Sequence, residues 1–430
     1  MSNLNSSCTD QRKQMTEPLP PLLGVEALHA YFKEGSPLGP LKVMAKHIGR
    51  LFKIPLPRFH PYVVFGPEAN RKVLVTERQK VTWRNPDPVT DLLRHGMLVV
   101  DGDEHDRYRE LMEPSLNPGK LPGHAKMMLD QTDRITATWR DGQVVDMLVE
   151  GRKIALLIIM NALFSVDAWN DLRHLWTPIL KAIEFISPGN WIVWRKVPRF
   201  GFRRHLQHLD EYLFQIIRER RAASSNSDLL QHLIDAGLDD DRIRDQMLTM
   251  LIAGHDTSTA LLAWTFVLLG QHPDVYTRLV QDIDTTEKSP MLDQFIKESL
   301  RLYPPIHIGN RIVADELDFD GKRISPGERM FYSIYLTHRD PAIWENADQF
   351  CPERFSPGHK TPPFAYIPFG GGPRSCIGSA FGLAEARTVV TTLLKNFSFE
   401  FLNLDHIHVH MGATLEPHPG VMVKVHKRQP

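Results

Sequence analysis

The sequence is poor in cysteine and has no excess of charge of either sign. Its 430 residues include three cysteines, and 51 basic side chains balance 51 acidic ones. Three cysteines cannot build a disulfide framework, and this usage is typical of a protein from a reducing cytoplasm. Zero net charge excludes a global electrostatic attraction to nucleic acid or to a membrane, so either would need a local basic patch.

Long hydrophobic runs are also missing. The first twenty residues contain no apolar run, so the sequence predicts neither a signal peptide nor an N-terminal membrane anchor. The longest apolar stretch, residues 154–163, is well short of the roughly 20 residues that are needed to span a bilayer. We interpret this stretch as a buried helix, and we expect residues 1–20 to form a disordered tail.

Helical periodicity dominates the chain from about residue 104 to residue 303. Residues 241–271 cover roughly eight helical turns and are apolar nearly all round in their second half, which predicts a helix through the middle of the protein. Strand-like runs occur at both ends of the chain, for example at residues 62–65. Because no linker interrupts the chain, we predict one mainly α domain over residues 21–430 with a small β portion.

A glycine-rich loop, PFGGGPRSCIG at residues 368–378, precedes the last apolar helix. Its glycines and prolines predict a tight turn, and the helix expected at residues 379–397 places Cys376 near a helix N-terminus. There the helix dipole and free N–H groups favour a thiolate over a thiol. The absence of Lys-Ser/Thr after the glycines disfavours a phosphate-binding loop. For the loop alone, a structural cysteine remains an alternative.

Polar residues interrupt the long apolar helix at positions 254–259. Gly254 costs roughly 1 kcal/mol relative to alanine inside a helix. Asp256 is unfavourable among apolar neighbours unless its carboxylate is satisfied. Two such conflicts with helix preference indicate a functional site. The alternative is that Asp256 reaches solvent at a kink.

The loop around Cys376 resembles the haem-binding signature of the cytochrome P450 family. That signature is Phe, two residues, Gly, one residue, a basic residue, one residue, Cys, one residue, Gly. Phe369, Gly372, Arg374, Cys376 and Gly378 match it at every position. The resemblance implies the cytochrome P450 fold, a triangular helix-rich domain with haem b between the long central helix and this loop. It also implies Cys376 as the axial thiolate ligand and Phe369 as part of the cofactor-binding loop.

Two further segments match the same family. Glu298, Arg301 and Arg354 match a buried Glu-Arg-Arg network that gives structural support to the cysteine loop. An isolated Glu-x-x-Arg is more often a solvated surface pair. Asp256 and Thr257 match an acid–alcohol pair. The resemblance implies that Thr257 hydrogen-bonds dioxygen and that Asp256 feeds the proton relay that cleaves the O–O bond.

Four basic residues match positions that bind the two haem propionates, namely His105, Arg109, Arg311 and Arg374. His105 and Arg109 are four residues apart and therefore face one way on a helix. Each of the four would be an ordinary exposed basic residue if it were found alone. Only the shared resemblance therefore gives them a cofactor-binding role.

The resemblance implies substrate-facing residues in four segments, residues 84–98, 249–253, 306–308 and 412–413, which are mostly apolar and so predict a hydrophobic substrate. Residues 185–204 lie where the family has a lid over the substrate channel, and they interleave aromatic and basic side chains, including Trp191 and Trp194. One interpretation is a packed lid whose arginine stems lie on apolar surface. The other is a lid that dips into a membrane and takes up a lipid-like substrate.

Together these matches predict a cytoplasmic, soluble haem-thiolate monooxygenase that inserts one oxygen atom from O2 into a lipid-, terpenoid- or carotenoid-like molecule. Because the haem domain uses the whole length, electrons would come from a separate ferredoxin- or flavodoxin-type partner that docks near Cys376. We expect a monomer that binds no nucleic acid. Two alternatives are a peroxide-dependent peroxygenase of the same fold and a non-catalytic haem sensor; the Asp256–Thr257 pair disfavours both.

Overall fold

The computed structural model describes residues 21–56, 59–83, 87–189, 199–223, 227–319 and 321–428. The α-helices in these ranges are α1 (Pro21–Glu34), α2 (Leu38–Ile48), α3 (Pro67–Arg71), α4 (Pro88–Leu93), α5 (Gly102–Met112), α6 (Leu121–Thr136), α7 (Met147–Phe164), α8 (Leu172–Ile186), α9 (Arg203–Ala222), α10 (Leu229–Asp235), α11 (Asp240–Gln271), α12 (Pro273–Thr285), α13 (Pro290–Leu302), α14 (Ile334–Thr337) and α15 (Ser379–Asn396).

The β-strands are short and occur before residue 147 and after residue 307. They are β1 (Leu51–Lys53), β2 (Tyr62–Val64), β3 (Val81–Thr82), β4 (Val144–Asp146), β5 (Ile308–Val313), β6 (Leu317–Phe319), β7 (Lys322–Ile324), β8 (Arg329–Ser333), β9 (Phe397–Phe401), β10 (His408–Met411), β11 (Leu415–His418) and β12 (Met422–Lys427).

The long helix α11 runs through the main hydrophobic core, as its apolar sequence predicted. It begins at a capped N-terminus, where the Asp239 side chain accepts a hydrogen bond from the Arg242 backbone N–H at 2.8 Å. It packs closely against α7, the buried helix that was predicted from residues 154–163. A Cβ atom on Gly254 would lie 2.6 Å from Ile159 Cδ1 of α7. Close helix packing therefore explains the glycine that interrupts α11.

The largest sheet joins the two ends of the chain. Its strand order is β1-β2-β8-β5-β3, and β2 and β8 pair in parallel while the other neighbours are antiparallel. A three-stranded sheet has the order β4-β12-β9, and β6–β7 and β10–β11 are two-stranded. The prediction of a mainly α fold with a small β portion is confirmed.

The β10–β11 hairpin is anchored at the protein centre. Trp264 on α11 is buried, and its indole N–H donates to the Leu415 carbonyl at 2.9 Å. The same indole stacks face to face on Tyr303, with ring centroids 3.7 Å apart. The Leu415 N–H donates to the Pro305 carbonyl at 3.0 Å. These contacts fix the turn of the hairpin against the middle of α11.

Two predicted features lie outside the described residues. The first is the N-terminal tail at residues 1–20, and the second is the centre of the lid at residues 190–198, which includes Trp191 and Trp194. Both predictions stay predictions. In the part of the chain that the structure describes, no helix is both long enough and apolar enough to cross a membrane.

Candidate active site

The cysteine loop adopts the tight turn that its glycines predict. Gly370 and Gly372 have positive φ angles of 70° and 67°. A Cβ atom on Gly372 would lie 2.3 Å from the Leu74 carbonyl oxygen, so only glycine fits at this position. The Cys376 backbone N–H closes the loop by donating to the Phe369 carbonyl at 2.8 Å. Helix α15 begins three residues after the cysteine, as the sequence predicted.

The Cys376 thiol faces a space inside the protein. Cys376 is exposed, yet burial raises the pKa of the thiol, while a hydrogen bond from the Gly378 N–H and the charge of Arg109 lower it. A thiol that is both exposed and surrounded by protein atoms lines a cavity. A thiol with a raised pKa stays protonated until a cation stabilises the thiolate, which a coordinated metal ion does outright. The loop therefore fits a thiolate-ligated metal centre.

One face of α11 is open although the rest of the helix is buried. Ala253 is exposed and Thr257, one turn later, is partly exposed, whereas most neighbouring residues of the helix are buried. The Thr257 hydroxyl donates to the Ala253 carbonyl at 2.6 Å. Helix α11 also packs against α15, the helix that follows the cysteine loop. An open helix face and an accessible thiol on neighbouring elements fit a flat group held between them.

Asp256 points away from this open face into the protein. It is 2% exposed, and its Oδ2 accepts a hydrogen bond from the Thr414 hydroxyl at 2.9 Å. Burial and the negative charge of Glu416 raise the pKa of Asp256 to about 7, and Thr414 and Arg152 oppose this rise. The alternative that Asp256 reaches solvent at a kink is therefore wrong.

His255 faces α7 and not the open face of α11. Its Nε2 lies 3.2 Å from the Arg152 carbonyl oxygen. Burial lowers the pKa of His255 to about 3, so the imidazole is neutral near pH 7 and donates this bond. We assign it no chemical role.

Glu298 and Arg301 form a buried ion pair in which both side chains are 0% exposed. All five N–H donors of Arg301 are used: two donate to Glu298, and three donate to the carbonyls of residues 338, 347 and 349. Arg354 joins at the edge, with its Nε 3.4 Å from Glu298 Oε1. This Nε makes no well-aligned hydrogen bond, so its interaction with Glu298 is mainly electrostatic. The three predicted members thus lie together.

A buried histidine connects this ion pair to the cysteine loop. The His338 carbonyl accepts from Arg301 at 2.7 Å, and the His338 ring Nε2 accepts from the Ile367 backbone N–H at 2.9 Å. Burial lowers the pKa of His338 to about 3, which keeps the ring neutral and able to accept. The Ile367 carbonyl in turn accepts from Gly370 in the loop at 2.9 Å. Sequence reasoning missed His338, because nothing in the sequence marks its distant partners.

The four predicted propionate-binding residues lie close together, and three of them are arginines. Arg109 donates to the Ser375 carbonyl, next to Cys376, at 2.7 Å. Arg374 is close enough to His105 and Arg311 for electrostatic interaction: its charge lowers the pKa of His105, and the charge of Arg311 lowers the pKa of Arg374, although burial is the larger cause in both cases. Arg374 also pairs with Asp101 at 3.0 Å. Because the pKa of His105 is lowered, its imidazole is neutral near pH 7 and can donate a hydrogen bond. Three guanidinium groups held near one another despite their mutual repulsion, with this imidazole beside them, fit a ligand with two carboxylates.

Two of the four predicted substrate-facing segments, residues 84–98 and 249–253, are in contact with each other, and a third, residues 412–413, contacts the beginning of the lid. The loop before α5 is bound to α11, since Met97 N–H donates to the Gln246 side chain at 2.8 Å and a Cβ on Gly96 would meet Thr249 Oγ1. The hairpin turn approaches the end of α8, because the Ala413 N–H donates to Ser187 Oγ at 3.0 Å. At the fourth segment Ile306 is 41% exposed.

Arg152, Thr414 and Glu416 surround Asp256, and sequence reasoning missed all three. Arg152 comes from α7 and the other two come from the β10–β11 hairpin, more than a hundred residues from Asp256 along the chain. The available signal was the group of charged residues Glu150, Arg152 and Lys153 at the start of a helix whose remainder is strongly apolar. The structure also contains a cavity of about 690 Å³ between α8 and α9, but none of its lining residues belongs to the candidate site.

Comparisons with known proteins agree with this geometry. The family model described as Cytochrome P450 matches residues 18–425. The chain is 29% identical to a cyclooctat-9-en-7-ol 5-monooxygenase of Streptomyces melanosporofaciens, with 91% of each chain covered. It is also 29% identical to a pentalenene oxygenase of Streptomyces avermitilis, and this alignment covers 86% of this chain and 88% of the oxygenase.

A solved structure described as retinoic acid bound cyanobacterial CYP120A1 superposes with a TM-score of 0.81. It is 26% identical in sequence and covers 90% of this chain and 94% of that chain. The fold, the site geometry and the family match lead to the same conclusion. This chain belongs to the cytochrome P450 family, and it is an oxygen-incorporating oxidoreductase that binds protoporphyrin IX haem through an axial cysteine thiolate.

Proposed function

We propose that this chain is a terpenoid monooxygenase in which Cys376 is the axial ligand of the haem. The observation that carries the assignment is the accessible thiol of Cys376 in an otherwise enclosed loop, closed by the hydrogen bond from its own N–H to Phe369. Cys351 is also free, but it lies beside Glu298 in the support network. When bound, the haem activates dioxygen, and a thiolate ligand favours cleavage of the O–O bond.

We assign cofactor binding to the predicted propionate-binding residues and to the loop. His105, Arg109, Arg311 and Arg374 would pair with the two propionates, and Phe369 would pack beside the cofactor. Arg109 would have a second role, because its bond to the Ser375 carbonyl fixes the residue next to the ligand. Glu298, Arg301 and Arg354 support the loop from behind and take no part in the chemistry.

We assign proton transfer to Asp256 and Thr257. Thr257 lies on the open face of α11, and Asp256 is held in the interior with a pKa of about 7. A carboxyl group with this pKa can both give and take up a proton near neutral pH. The Thr257 hydroxyl, which now donates to Ala253, would turn toward the cavity to pass a proton on.

The substrate that we propose is a hydrophobic terpenoid. Three positions of the predicted substrate-facing segments, Leu98, Ala253 and Ile306, are both exposed and apolar. Two relatives carry the names cyclooctat-9-en-7-ol 5-monooxygenase and pentalenene oxygenase, and the superposed structure holds retinoic acid. A screen of terpenoids, retinoids, fatty acids and steroids by the absorption shift of the haem tests this class.

Electrons would come from a separate ferredoxin- or flavodoxin-type protein, and the chain would work in the cytoplasm. Peripheral membrane contact through residues 185–204 is a further part of the proposal. Phe200, at the described end of this lid, is 85% exposed. Co-sedimentation with liposomes should weaken when Trp191 and Trp194 are changed to alanine. Unchanged co-sedimentation would remove the membrane contact from the proposal.

The test of the ligand assignment is the carbon monoxide difference spectrum of the reduced protein. Wild type and Cys351→Ser should show the thiolate-type band, and Cys376→Ala should lose it. A retained band in Cys376→Ala would overturn the assignment. Product formation with hydrogen peroxide but none with reductase, ferredoxin and oxygen would instead favour the peroxygenase alternative.

A further inference from the structure

A row of imidazoles lies on one face of the β10–β11 hairpin. His408 is directly opposite His418 in the antiparallel register, and His410 is directly opposite Glu416. Because side chains alternate between the two faces of a strand, these four side chains share one face. The ring centroids of His408 and His410 lie 5.1 and 5.8 Å from that of His418. All three imidazoles are exposed, so solvent protons reach them directly.

Glu416 connects this imidazole row to the protein interior. Both of its carboxylate oxygens accept from Arg152 Nη2 at 2.7 Å, and both side chains are 14% exposed. Burial lowers the pKa of His410, and Glu416 opposes this effect. Glu416 also raises the pKa of Asp256, after burial. Exposure therefore decreases from the imidazole row through Glu416 to Asp256, and Glu416 interacts electrostatically with the group on either side.

Asp256 is held at the inner end of this series with one oxygen free to exchange a proton. Thr414, in the turn of the same hairpin, donates to Oδ2, while the buried Oδ1 has no hydrogen-bond partner among the described residues. Arg152 and Glu416 are the charged groups that shift its pKa. The other titratable side chains nearby point elsewhere: His255 bonds to α7, and Glu385 on α15 accepts from Ser258 at 2.6 Å.

The imidazole row is suited to collecting protons. In the described ranges, no three His, Cys, Asp or Glu side chains are placed to hold a metal ion, so a metal site does not explain the row. Histidine is the side chain that titrates closest to neutral pH. Three exposed histidines beside the partly buried Glu416 carboxylate can take up protons from solvent.

We propose that the imidazole row, with Glu416 and Arg152, is the route by which solvent protons reach Asp256. This inference rests on the proposed function, because the route would bring protons to the proposed Asp256–Thr257 relay. Each step moves one proton and no electron. An imidazolium of the row gives its proton to the Glu416 carboxylate, and Glu416 gives one to the Asp256 carboxylate. Asp256 then gives one to the Thr257 hydroxyl oxygen, while the original hydroxyl proton leaves toward the open face of α11, where the oxygen to be protonated would lie. Arg152 is a positioning residue that holds Glu416 in line.

The test uses the full-length, haem-loaded protein and two infrared measurements. The carboxyl band of protonated Asp256, identified by its loss in Asp256→Asn, is titrated with pH, and its conversion to the deuterated form is timed after mixing with D2O. Glu416→Gln should lower the titration midpoint, because a negative charge beside Asp256 is lost. A triple change of His408, His410 and His418 to asparagine should slow deuteration at least about tenfold, given the factors that positioned proton-transfer groups typically supply.

The strand pair β9–β12 offers matched controls, because His426 lies 3.7 Å from Glu400 there. Glu400→Gln and His426→Asn should leave both the midpoint and the deuteration rate unchanged. A Glu416 with a purely structural role would change unfolding but not the Asp256 midpoint. An unchanged midpoint in Glu416→Gln, or an unchanged rate in the triple variant, would overturn the route.

The two levels of the proposal fail separately. Oxygen-coupled turnover with ferredoxin and its reductase is measured with pentalenene or retinoic acid, whichever shifts the haem spectrum. If Asp256→Asn leaves this turnover unchanged, the relay itself is wrong. If Asp256→Asn slows turnover but the Glu416 and triple histidine variants change neither infrared measurement, the relay stands and only the route is wrong.

Discussion

Two buried networks of charged groups differ in how completely their hydrogen-bonding groups are satisfied. In the Glu298–Arg301 pair every guanidinium donor has a partner, and neither side chain is exposed. Around Asp256, by contrast, the Oδ1 of Asp256 and the Nε of Arg152 are buried without partners among the described residues. The Arg152–Glu416 pair is also partly exposed.

The difference indicates what each network is for. The Glu298–Arg301 pair, in which every guanidinium donor is used, has one stable arrangement, so it can hold the cysteine loop in place. Arg354 Nε and His338 Nδ1, which have no partner among the described residues, belong to side chains at the edge of this pair. A network with unfilled positions costs stability, and such conflicts are expected at functional sites, where groups must gain and lose protons. We therefore propose a structural role for the first network and proton transfer for the second. The following predictions test this division, from the largest expected effect to the smallest.

Removing Arg301 should have the largest effect on stability. Arg301→Ala removes the main charge partner of the buried Glu298 carboxylate, which keeps only the Cys351 N–H and the edge contact with Arg354, and it removes the Arg301 donors from three buried carbonyls. We expect a loss of about 3–5 kcal/mol in the free energy of unfolding, together with loss of bound haem. Denaturant unfolding and haem content measure this. Arg278→Ala, an exposed arginine with ion-pair distances of 3.6 and 3.7 Å, should cost under about 1 kcal/mol. Similar losses in the two variants would contradict the role of the buried network.

Two carboxyl groups with raised pKa values, Asp256 on α11 and Glu385 on α15, should make the stability of the protein depend on pH. Burial raises the pKa of Glu385 to about 8, and burial and Glu416 raise that of Asp256 to about 7. A carboxyl group whose pKa is higher in the folded than in the unfolded state binds its proton more tightly when folded. This stabilises the folded state at a pH below the ordinary pKa of the group, and the stabilisation is lost as the pH rises through the folded-state pKa. The unfolding free energy of wild type should decrease from pH 5 to pH 8.5. In Glu385→Gln this decrease should be smaller by about 1–3 kcal/mol.

The buried histidines have the opposite effect. Because their pKa values are lowered, they decrease the stability of the protein as the pH falls. They are present in wild type and variant alike, so their effect cancels in the difference. Glu110→Gln, at an exposed position, is the matched control and should follow wild type. An unfolding free energy whose pH dependence is the same in Glu385→Gln and wild type would show that Glu385 is charged at neutral pH.

Thr414→Val should have a smaller effect on stability and a clear effect on Asp256. The variant removes the hydroxyl that donates to Asp256 Oδ2, and an unsatisfied buried acceptor costs about 1–3 kcal/mol. Because this hydrogen bond lowers the pKa of Asp256, its loss should raise the infrared titration midpoint. Thr277→Val, which removes an exposed hydroxyl bonded to Pro273, should leave the midpoint unchanged. A midpoint that falls in Thr414→Val would contradict the assigned contact.

Cys351→Ser should have the smallest effect. The Cys351 backbone N–H donates to Glu298 at 2.8 Å, whereas its thiol makes only a long contact of 3.6 Å with Glu353. The serine variant keeps the backbone donor, so the unfolding free energy should change by less than about 0.5 kcal/mol. Calorimetry or denaturant unfolding checks this. A large loss would mean that the thiol itself is part of the support network.

Local sequence predicted much of the site because several of its parts are continuous in the chain. The glycines of the cysteine loop need positive φ or close packing, and Glu298 and Arg301 share a helix turn. Helix α11 was predicted from its length and apolar character. The partners of Asp256 were not predicted, because Thr414 and Glu416 have no local relation to it. The same holds for His338, whose contacts join α13, residues 338–349 and the cysteine loop.

The sequence by itself predicted the family, the cofactor and the residues that the family motifs mark, because the segments around Cys376, Glu298 and Asp256 resemble those motifs and each motif is a short stretch of the chain. The tertiary structure decided the surroundings of those residues. It turned Asp256 away from the open face of α11, placed Thr414 and Glu416 beside it, and aligned three histidines outside Glu416. The physical reason is that burial and charge neighbours set the state of an ionisable group, and both are produced by packing between distant segments.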